Sequence, residues 1–231
     1  LQTQKIEIGY ILEELDDLGG DLVYFNSLKK DLHFITSMDV SGKGLKASNM
    51  VIAIQSFLKA SVDLFMLIAH KKRTTNWLMR LINKLNRMVA HNTPFDLYAT
   101  GVFFVVDTKR MILDFYDYGH PPVYIIRQGK IRRLPSKPSQ REHGIPFFGI
   151  DPDLVKQPNR IKLQHGDKIF VHSDGLDESR NIHEEEYGEM RLVSLLKELD
   201  SHRGKDIPLA VKDDLEIFRQ GHRKMDDLSL V

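Results

Sequence analysis

Residues 32–44 read Leu-His-Phe-Ile-Thr-Ser-Met-Asp-Val-Ser-Gly-Lys-Gly, a short apolar run that stops at a glycine-containing turn. The alternating apolar residues of 32–39 predict a β-strand, and the two glycines predict a tight turn directly after it. From Ala47 to about His70, apolar residues recur every three or four positions, which predicts an amphipathic helix. The sequence thus predicts a strand, a turn and a helix, with Asp39 where the strand ends.

The rest of the chain alternates between the two periodicities. Apolar spacing predicts a second long helix directly after the first, and two more helices near the C-terminus. β-rich runs between them predict two hairpins, a buried strand and a short C-terminal strand. We expect helices packed outside antiparallel sheets. The predicted helices are 75–92, 189–199 and 208–219, and the predicted strands are 100–106, 111–116, 123–126, 131–134, 168–172 and 228–231.

Composition limits the classes of function. The chain has 231 residues, 42% of them hydrophobic, with no long linker, which predicts a single domain spanning 1–231. Lys plus Arg number 33 against 32 Asp plus Glu, so the net charge of +1 gives no field that favours nucleic acid. Cysteine is absent, which excludes disulfides and thiolate metal sites and is compatible with a cytoplasmic location.

Two features concern the longer protein. Gln55, Lys59 and Asp63 interrupt the apolar stretch 51–69, so we expect no membrane span there. The chain starts at Leu1 without Met or a signal-like segment, from which we expect the C-terminal catalytic part of a longer protein. An upstream sensor or membrane tether is left open.

Four aspartates stand where a strand-like run meets a turn. Such positions fix the direction of a carboxylate, and carboxylate oxygens suit Mg²⁺ or Mn²⁺ better than zinc. Each aspartate taken alone is more typical of a turn or a helix cap than of a metal ligand. Because the four lie far apart in sequence, their spacing does not establish that they converge. They are Asp21 after Gly19-Gly20, Asp39 before Val40-Ser41-Gly42, Asp174 before Gly175, and Asp226 in Met225-Asp226-Asp227.

Six short blocks, taken in order, resemble those of the SpoIIE-type bacterial serine/threonine phosphatases. These belong to the PPM, or protein phosphatase 2C-like, group, and the resemblance covers nearly the whole chain. One block alone is common by chance, whereas the order and spacing together are specific. The blocks are GGD at 19–21, DVSGKG at 39–44, YGHPP at 118–122, GIPFFG at 144–149, SDGL at 173–176 and DDLS at 226–229.

The resemblance implies an α+β fold, a four-layer αββα sandwich of two antiparallel sheets flanked by helices. It also implies a site for two Mn²⁺ or Mg²⁺ ions bridged by Asp39. The Val40 carbonyl and Asp21 would serve one ion, and Asp174 and Asp226 the other. Asp21, Asp39, Asp174 and Asp226 are therefore the expected catalytic and metal-binding carboxylates. Asp227 stays open as the alternative to Asp226.

The implied activity is hydrolysis of phosphoserine or phosphothreonine by metal-activated water at the dinuclear site. The implied substrate is a phosphorylated regulatory protein such as an anti-sigma-factor antagonist. The alternative is a weak or inactive phosphatase-like domain that acts as a binding module. After GGD the family usually continues with an aromatic residue and an aspartate, whereas Leu22-Val23 offers no second acid, so one ion would bind less tightly. The first two helices are open to contact with a sensor or with a second copy in a homodimer.

The remaining polar candidates each have an ordinary structural interpretation. His120 is either a general acid for the leaving group or a turn residue bonded to backbone, and we favour the turn. Lys43 and Lys46 follow the glycine turn, where they either contact phosphate or remain solvated. We interpret the basic runs 70–73 and 132–133 as solvated faces and expect no nucleic-acid partner.

Overall fold

The computed structural model describes residues 6–15, 19–68, 74–92, 97–134, 147–154 and 157–231. Within these ranges the chain forms ten β-strands and five α-helices. The strands are β1 (Ile11–Glu13), β2 (Asp21–Lys29), β3 (Leu32–Val40), β4 (Ala99–Asp107), β5 (Ile112–Tyr118), β6 (Tyr124–Arg127), β7 (Lys130–Arg133), β8 (Asn159–Lys162), β9 (Lys168–Phe170) and β10 (Leu228–Leu230). The helices are α1 (Leu45–Ile68), α2 (Thr74–Asn92), α3 (Asp174–Asp177), α4 (Gly188–Glu198) and α5 (Ile207–Arg219).

The first sheet is built around the strand predicted from residues 32–39. Five antiparallel strands form it in the order β2-β3-β4-β5-β8. The strand, turn and helix predicted here are confirmed, because β3 ends at Val40 and α1 begins at Leu45. Gly42 and Gly44 between them have positive φ angles of 92° and 70°, which glycine adopts without steric cost. The turn therefore brings the start of α1 next to the end of β3.

The remaining strands lie in two small sheets, which place the C-terminal strand beside strands from the middle of the chain. Strands β7-β6-β9 form one antiparallel sheet, and β1 pairs with β10. Backbone hydrogen bonds link the two, since Val171 and Val231 exchange N–H···O bonds of 3.0 and 2.9 Å. Ser173 N–H also donates to the Ser229 carbonyl at 3.0 Å. The residues just after β9 therefore lie beside β10.

The predicted elements are confirmed within two residues at each end, and the predicted end of the first helix near His70 lies outside the described residues. Strands β1, β2 and β8 and the short helix α3 were not predicted. Two predicted positions are corrected: Asp21 is the first residue of β2 rather than the end of a strand, and Asp174 begins α3. Both residues still lie at the boundary of a secondary-structure element, and this position fixes the direction of their side chains.

Three clusters of buried apolar side chains stabilise the fold. One lies between helices α1 and α2 and the first sheet, with Phe34, Ile54 and Phe103 fully buried. Another joins β6, β9 and β10 to helices α4 and α5. The third contains side chains of both sheets, among them Phe104 and Ile125. Burial of this apolar surface is the main favourable term in folding.

Helix α1 is also long and apolar enough over Leu45–Met66 to span a membrane. In the structure, 28% of its most apolar 18-residue segment is buried. Its inner face, with Ile54 and Leu58, belongs to the first apolar cluster. A core helix passes the same test, so this feature is weak evidence for a membrane span.

Candidate acidic metal site

Asp21 and Asp39 lie directly opposite each other at the end of the first sheet. They are register partners in β2 and β3, so the antiparallel pairing brings their backbones together. Asp21 is only 3% exposed, and its Oδ2 has no hydrogen-bond partner among the described residues. Burial and then the charge of Asp39 raise the pKa of Asp21 well above its usual value, although the Ser173 and Ser229 hydroxyls act in the opposite direction. A buried carboxylate in this state favours a nearby cation.

Asp174 reaches the same place from the two small sheets. It begins α3 immediately after the backbone of 171–173 that pairs beside β10. Burial raises the pKa of Asp174 to about 6, with further contributions from the charges of Glu178 and Asp226. Glu178 was missed in the sequence, although its position four residues after Asp174 on a helical turn is the signal that could have identified it.

Asp39 connects the two halves of the cluster electrostatically. Burial and then the charges of Asp174 and Asp226 raise its pKa to about 7. Like charges shift one another's pKa in this way only over short distances. The structure thus brings together the four aspartates singled out in the sequence.

The donor set suits a hard divalent cation, but the carboxylates do not form a closed cage. Among the residues that the structure describes, no group of three or more His, Asp or Glu side chains has metal-holding geometry. All the candidate donors are oxygens, which Mg²⁺ and Mn²⁺ prefer. The unpartnered Oδ2 of Asp21 and the mutual repulsion around Asp39 are what a bound cation would relieve. The residues therefore fit these ions in chemistry and in charge.

Two glycines allow the backbones to approach closely at the site. A β-carbon on Gly20 would lie 2.6 Å from the Val40 carbonyl oxygen, and one on Gly175 would lie 1.8 Å from the Asp227 carbonyl oxygen. Both distances are too short for real atoms. Gly20 of the GGD block is thus required for the start of β2 to approach the end of β3, and Gly175 of the SDGL block is required for α3 to approach the Asp227 backbone.

Asp226 and Asp227 have different surroundings. The Asp227 carboxylate accepts the backbone N–H groups of Leu15 and Gly20, both at 2.6 Å. Asp226 Oδ2 lies 3.5 Å from Lys43 Nζ, and half of the Asp226 side chain is exposed. Both oxygens of Asp227 therefore accept backbone N–H groups. Asp226 accepts one, from Asp227 at 2.9 Å, and because it is half exposed it is more available to an ion.

We expect Asp227→Asn to weaken the fold and Asp226→Asn to weaken metal binding. An asparagine at 227 accepts through one oxygen only, so one backbone N–H loses its acceptor at a cost of about 1–3 kcal/mol. Half-exposed Asp226 contributes little to stability, so its asparagine variant should stay within about 0.5 kcal/mol of the parent protein. Urea unfolding and Mn²⁺ calorimetry on both variants measure this. The opposite pattern would assign the ligand to Asp227.

Lys43 contacts the acidic cluster directly. Its Nζ donates to the Met225 carbonyl at 3.0 Å and lies 3.5 Å from Asp226. The side chain of Lys46, in the first turn of α1, is exposed. Lys43 therefore balances part of the negative charge.

His120 is buried beside β4. Its Nδ1 lies 3.1 Å from Thr100 Oγ1, and its backbone N–H donates to Asp117 at 3.2 Å. Burial and then His172 lower the pKa of His120 to about 3, so the ring is neutral near pH 7. A ring that is neutral near pH 7 is a poor general acid for a leaving group, which favours the turn interpretation. His172, missed in the sequence, is only 1% exposed and directly precedes the SDGL block.

Part of the GIPFFG block forms core beside the YGHPP block. Its residues 144–146 lie outside the described ranges. Phe148 is fully buried, exchanges backbone hydrogen bonds of 2.9 and 2.8 Å with Ala99, and packs edge-on against Tyr118 at 4.9 Å. The two blocks therefore support the first sheet beside Thr100 and Asp39.

Fold and site together define a protein phosphatase 2C-like domain of mixed α and β structure with antiparallel sheets. The chain belongs to the stage II sporulation protein E (SpoIIE) family, whose model matches residues 30–231. Its homologues are serine phosphatases of this class. Phosphoserine phosphatase RsbP of Bacillus subtilis (strain 168) is 19% identical over 226 residues, which are 97% of this chain and 51% of RsbP. The chain thus spans about half the length of this relative.

Solved structures share the fold at low identity. The phosphatase domain of Bacillus subtilis SpoIIE with a fragment of its regulatory domain has a TM-score of 0.77 at 16% identity, covering 100% of this chain and 63% of that one. The SiaA-PP2C domain of Pseudomonas aeruginosa has a TM-score of 0.75 at 16% identity, covering 96% and 82%. RsbX, crystallised in complex with magnesium, has a TM-score of 0.62 at 16% identity, covering 96% and 90%.

Proposed function

We propose that this chain is the catalytic domain of a metal-dependent phosphatase that hydrolyses phosphoserine or phosphothreonine on a regulatory protein. The observation that carries the proposal is the cluster of Asp21, Asp39, Asp174 and Asp226. The charge of Asp39 adds to burial in raising the pKa of Asp21, and the charges of Asp174 and Asp226 add to burial in raising the pKa of Asp39. Family membership supports a serine phosphatase, and the choice of a regulatory protein as substrate goes one step further. We expect the substrate to be a protein such as an anti-sigma-factor antagonist. The domain acts within a longer protein with an upstream sensor, on the cytoplasmic side.

Asp39 would hold two Mn²⁺ or Mg²⁺ ions between the halves of the site. Asp21 and the Val40 carbonyl would serve one ion, and Asp174 and Asp226 the other. Bound ions of this kind activate water for attack on phosphorus and neutralise charge on the phosphoryl oxygens. The likeness to RsbX, which was crystallised with magnesium, supports this metal class.

The chain's own contribution is to hold the carboxylates close together and correctly directed. Asp227 fixes the loop at Gly20 through its two short hydrogen bonds. Gly175 allows α3 to approach the backbone before β10, which directs Asp174 toward Asp39. Such positioning lets the protein provide most of the catalysis through electrostatics.

We also propose the four-layer αββα arrangement for the single domain 1–231. The three apolar clusters support it, because one lies between helices and the first sheet, one contains residues of both sheets, and one lies between strands and α4 and α5. Four layers require three such interfaces.

Release of phosphate from a phosphoserine peptide, with and without millimolar Mn²⁺, tests the function. We expect release only with metal and its loss in Asp174→Asn. A folded protein that releases no phosphate at any metal concentration would favour the alternative of a binding module.

Lys43→Met should raise the affinity for Mn²⁺ about threefold. The Lys43 ammonium competes for the Asp226 carboxylate, and an exposed ion pair of this kind contributes less than about 1 kcal/mol. Calorimetric titration measures the change directly, without any assay of turnover. Lys46→Met is the control with the same change of charge and should leave the affinity nearly unchanged. Equal effects of both substitutions would contradict a specific role for Lys43.

A further inference from the structure

A groove along helices α1 and α2 combines basic and apolar side chains. It is open and has a volume of about 660 Å³. Its apolar part is formed by half-buried Phe57 of α1 and Met88 of α2. Its basic part comes from α2 and consists of Arg80, Lys84, Arg87 and His91.

The basic side chains lie on one face of α2. Their spacing of four, three and four residues is the spacing of neighbours along a helix surface. In the sequence, residues 64–95 contain six Lys or Arg and no Asp or Glu, although the whole chain has a net charge of only +1. Arg87 forms an ion pair with Asp153 at 3.0 Å. Within the described ranges, Arg80 and Lys84 are exposed and pair with no carboxylate.

The groove is too far from the acidic cluster to contact the phosphorylated residue itself. Phe57 lies twelve residues beyond Leu45, where α1 begins beside the site, so the helix rise separates them by about 18 Å. A residue bound at the cluster and a segment bound in the groove would be joined by at least about six extended residues. Contacts here would therefore involve another part of the same substrate.

We propose that this groove docks an acidic amphipathic segment of the phosphoprotein substrate. The inference rests on the proposed phosphatase function. Carboxylates of the segment pair with Arg80 and Lys84, while its apolar side chains cover Phe57 and Met88. A concave surface with half-buried apolar residues suits a helix laid into it, whereas a membrane surface is better matched by protruding apolar residues.

A pair of phosphoserine peptides tests the docking. Both carry the phosphoserine, a flexible Gly/Ser linker of about 12 residues and a helix-forming tag, which has Leu on one face and Glu on the other. In the control peptide, Gln replaces each Glu. The Glu-tagged peptide should have a KM about tenfold lower than the Gln-tagged one, with the same kcat. Arg80→Glu with Lys84→Glu should abolish that difference, while leaving hydrolysis of p-nitrophenyl phosphate unchanged.

The matched control is Lys30→Glu with Lys109→Glu, which changes the charge equally at two exposed turn positions. It should retain the tenfold preference for the Glu-tagged peptide. Equal hydrolysis of both peptides by the parent protein would overturn the docking proposal and leave the phosphatase function intact. A third tag, with Ser in place of Leu, should lose most of the advantage. If it does not, unspecific charge attraction explains the effect and the proposal fails.

If the protein hydrolyses none of the phosphopeptides, fluorescence anisotropy of the Glu tag without phosphoserine still tests the docking proposal separately from the phosphatase proposal. Binding that the Arg80 and Lys84 substitutions remove would support the groove without catalysis, and absence of binding would overturn it. Phosphatidylglycerol vesicles provide the competing partner. If the parent protein binds them through Arg80 and Lys84 but ignores the tag, the groove belongs to a membrane surface and the proposal is wrong.

Discussion

Asp39→Asn should lower Mn²⁺-dependent phosphate release about 1000-fold or more and also make the metal-free protein more stable. The loss follows because Asp39 is the carboxylate to which both halves of the site are electrostatically coupled. The gain follows because asparagine removes a mostly buried charge that Asp174 and Asp226 repel. Allowing for its partial exposure, we expect about 2 kcal/mol, or a rise in Tm of roughly 5 °C. Phosphate release and calorimetric melting in chelator measure the two effects.

The control is Asp31→Asn, in the turn between β2 and β3 at the other end of the strand. It should change neither activity nor Tm appreciably. An Asp39→Asn protein that melts lower without metal would mean that the carboxylate stabilises the fold by itself. In that case the repulsion inferred from the raised pKa of Asp39 would be wrong.

Gly175→Ala should destabilise the protein by about 4 kcal/mol and abolish activity. The added carbon would lie 1.8 Å from the Asp227 carbonyl oxygen, and backbone rather than a flexible side chain must move to make room. That movement separates α3, which carries Asp174, from the backbone next to Asp226. Urea unfolding measures the stability, and phosphate release in Mn²⁺ measures the activity.

Gly204→Ala is the matched control, because no atom lies within 4 Å of the added carbon. Gly204 begins a short 3₁₀ turn before α5, and its substitution should change stability by less than about 0.5 kcal/mol. Equal, small effects of the two substitutions would show that the close approach at Gly175 has no structural importance.

The sequence predicted most helices and strands because their periodicity is strong. Residues 32–44 predicted β3 and the glycine turn, and the apolar spacing from Ala47 onward predicted α1. Strand β2 was missed, since its residues after Asp21 mix apolar and polar side chains without regular alternation. Short β1 and α3 were missed for another reason: three or four residues contain too little pattern, and tertiary pairing determines their structure.

The site was predicted only as separate residues. Four aspartates at element boundaries were visible, but sequence spacing could not bring them together, whereas the register of β2 with β3 and the hydrogen bonds beside β10 do. The roles of Glu178 and Lys43 also depend on the fold. The distinction between Asp226 and Asp227 required the two backbone N–H groups that only Asp227 accepts.

An anomalous difference map from crystals grown with Mn²⁺ tests the metal site most directly. We expect manganese peaks beside Asp39, one toward Asp21 and the Val40 carbonyl and one toward Asp174 and Asp226. Manganese bound elsewhere, or none beside Asp39 at saturating concentration, would contradict the claim that these four carboxylates form a metal-dependent active site.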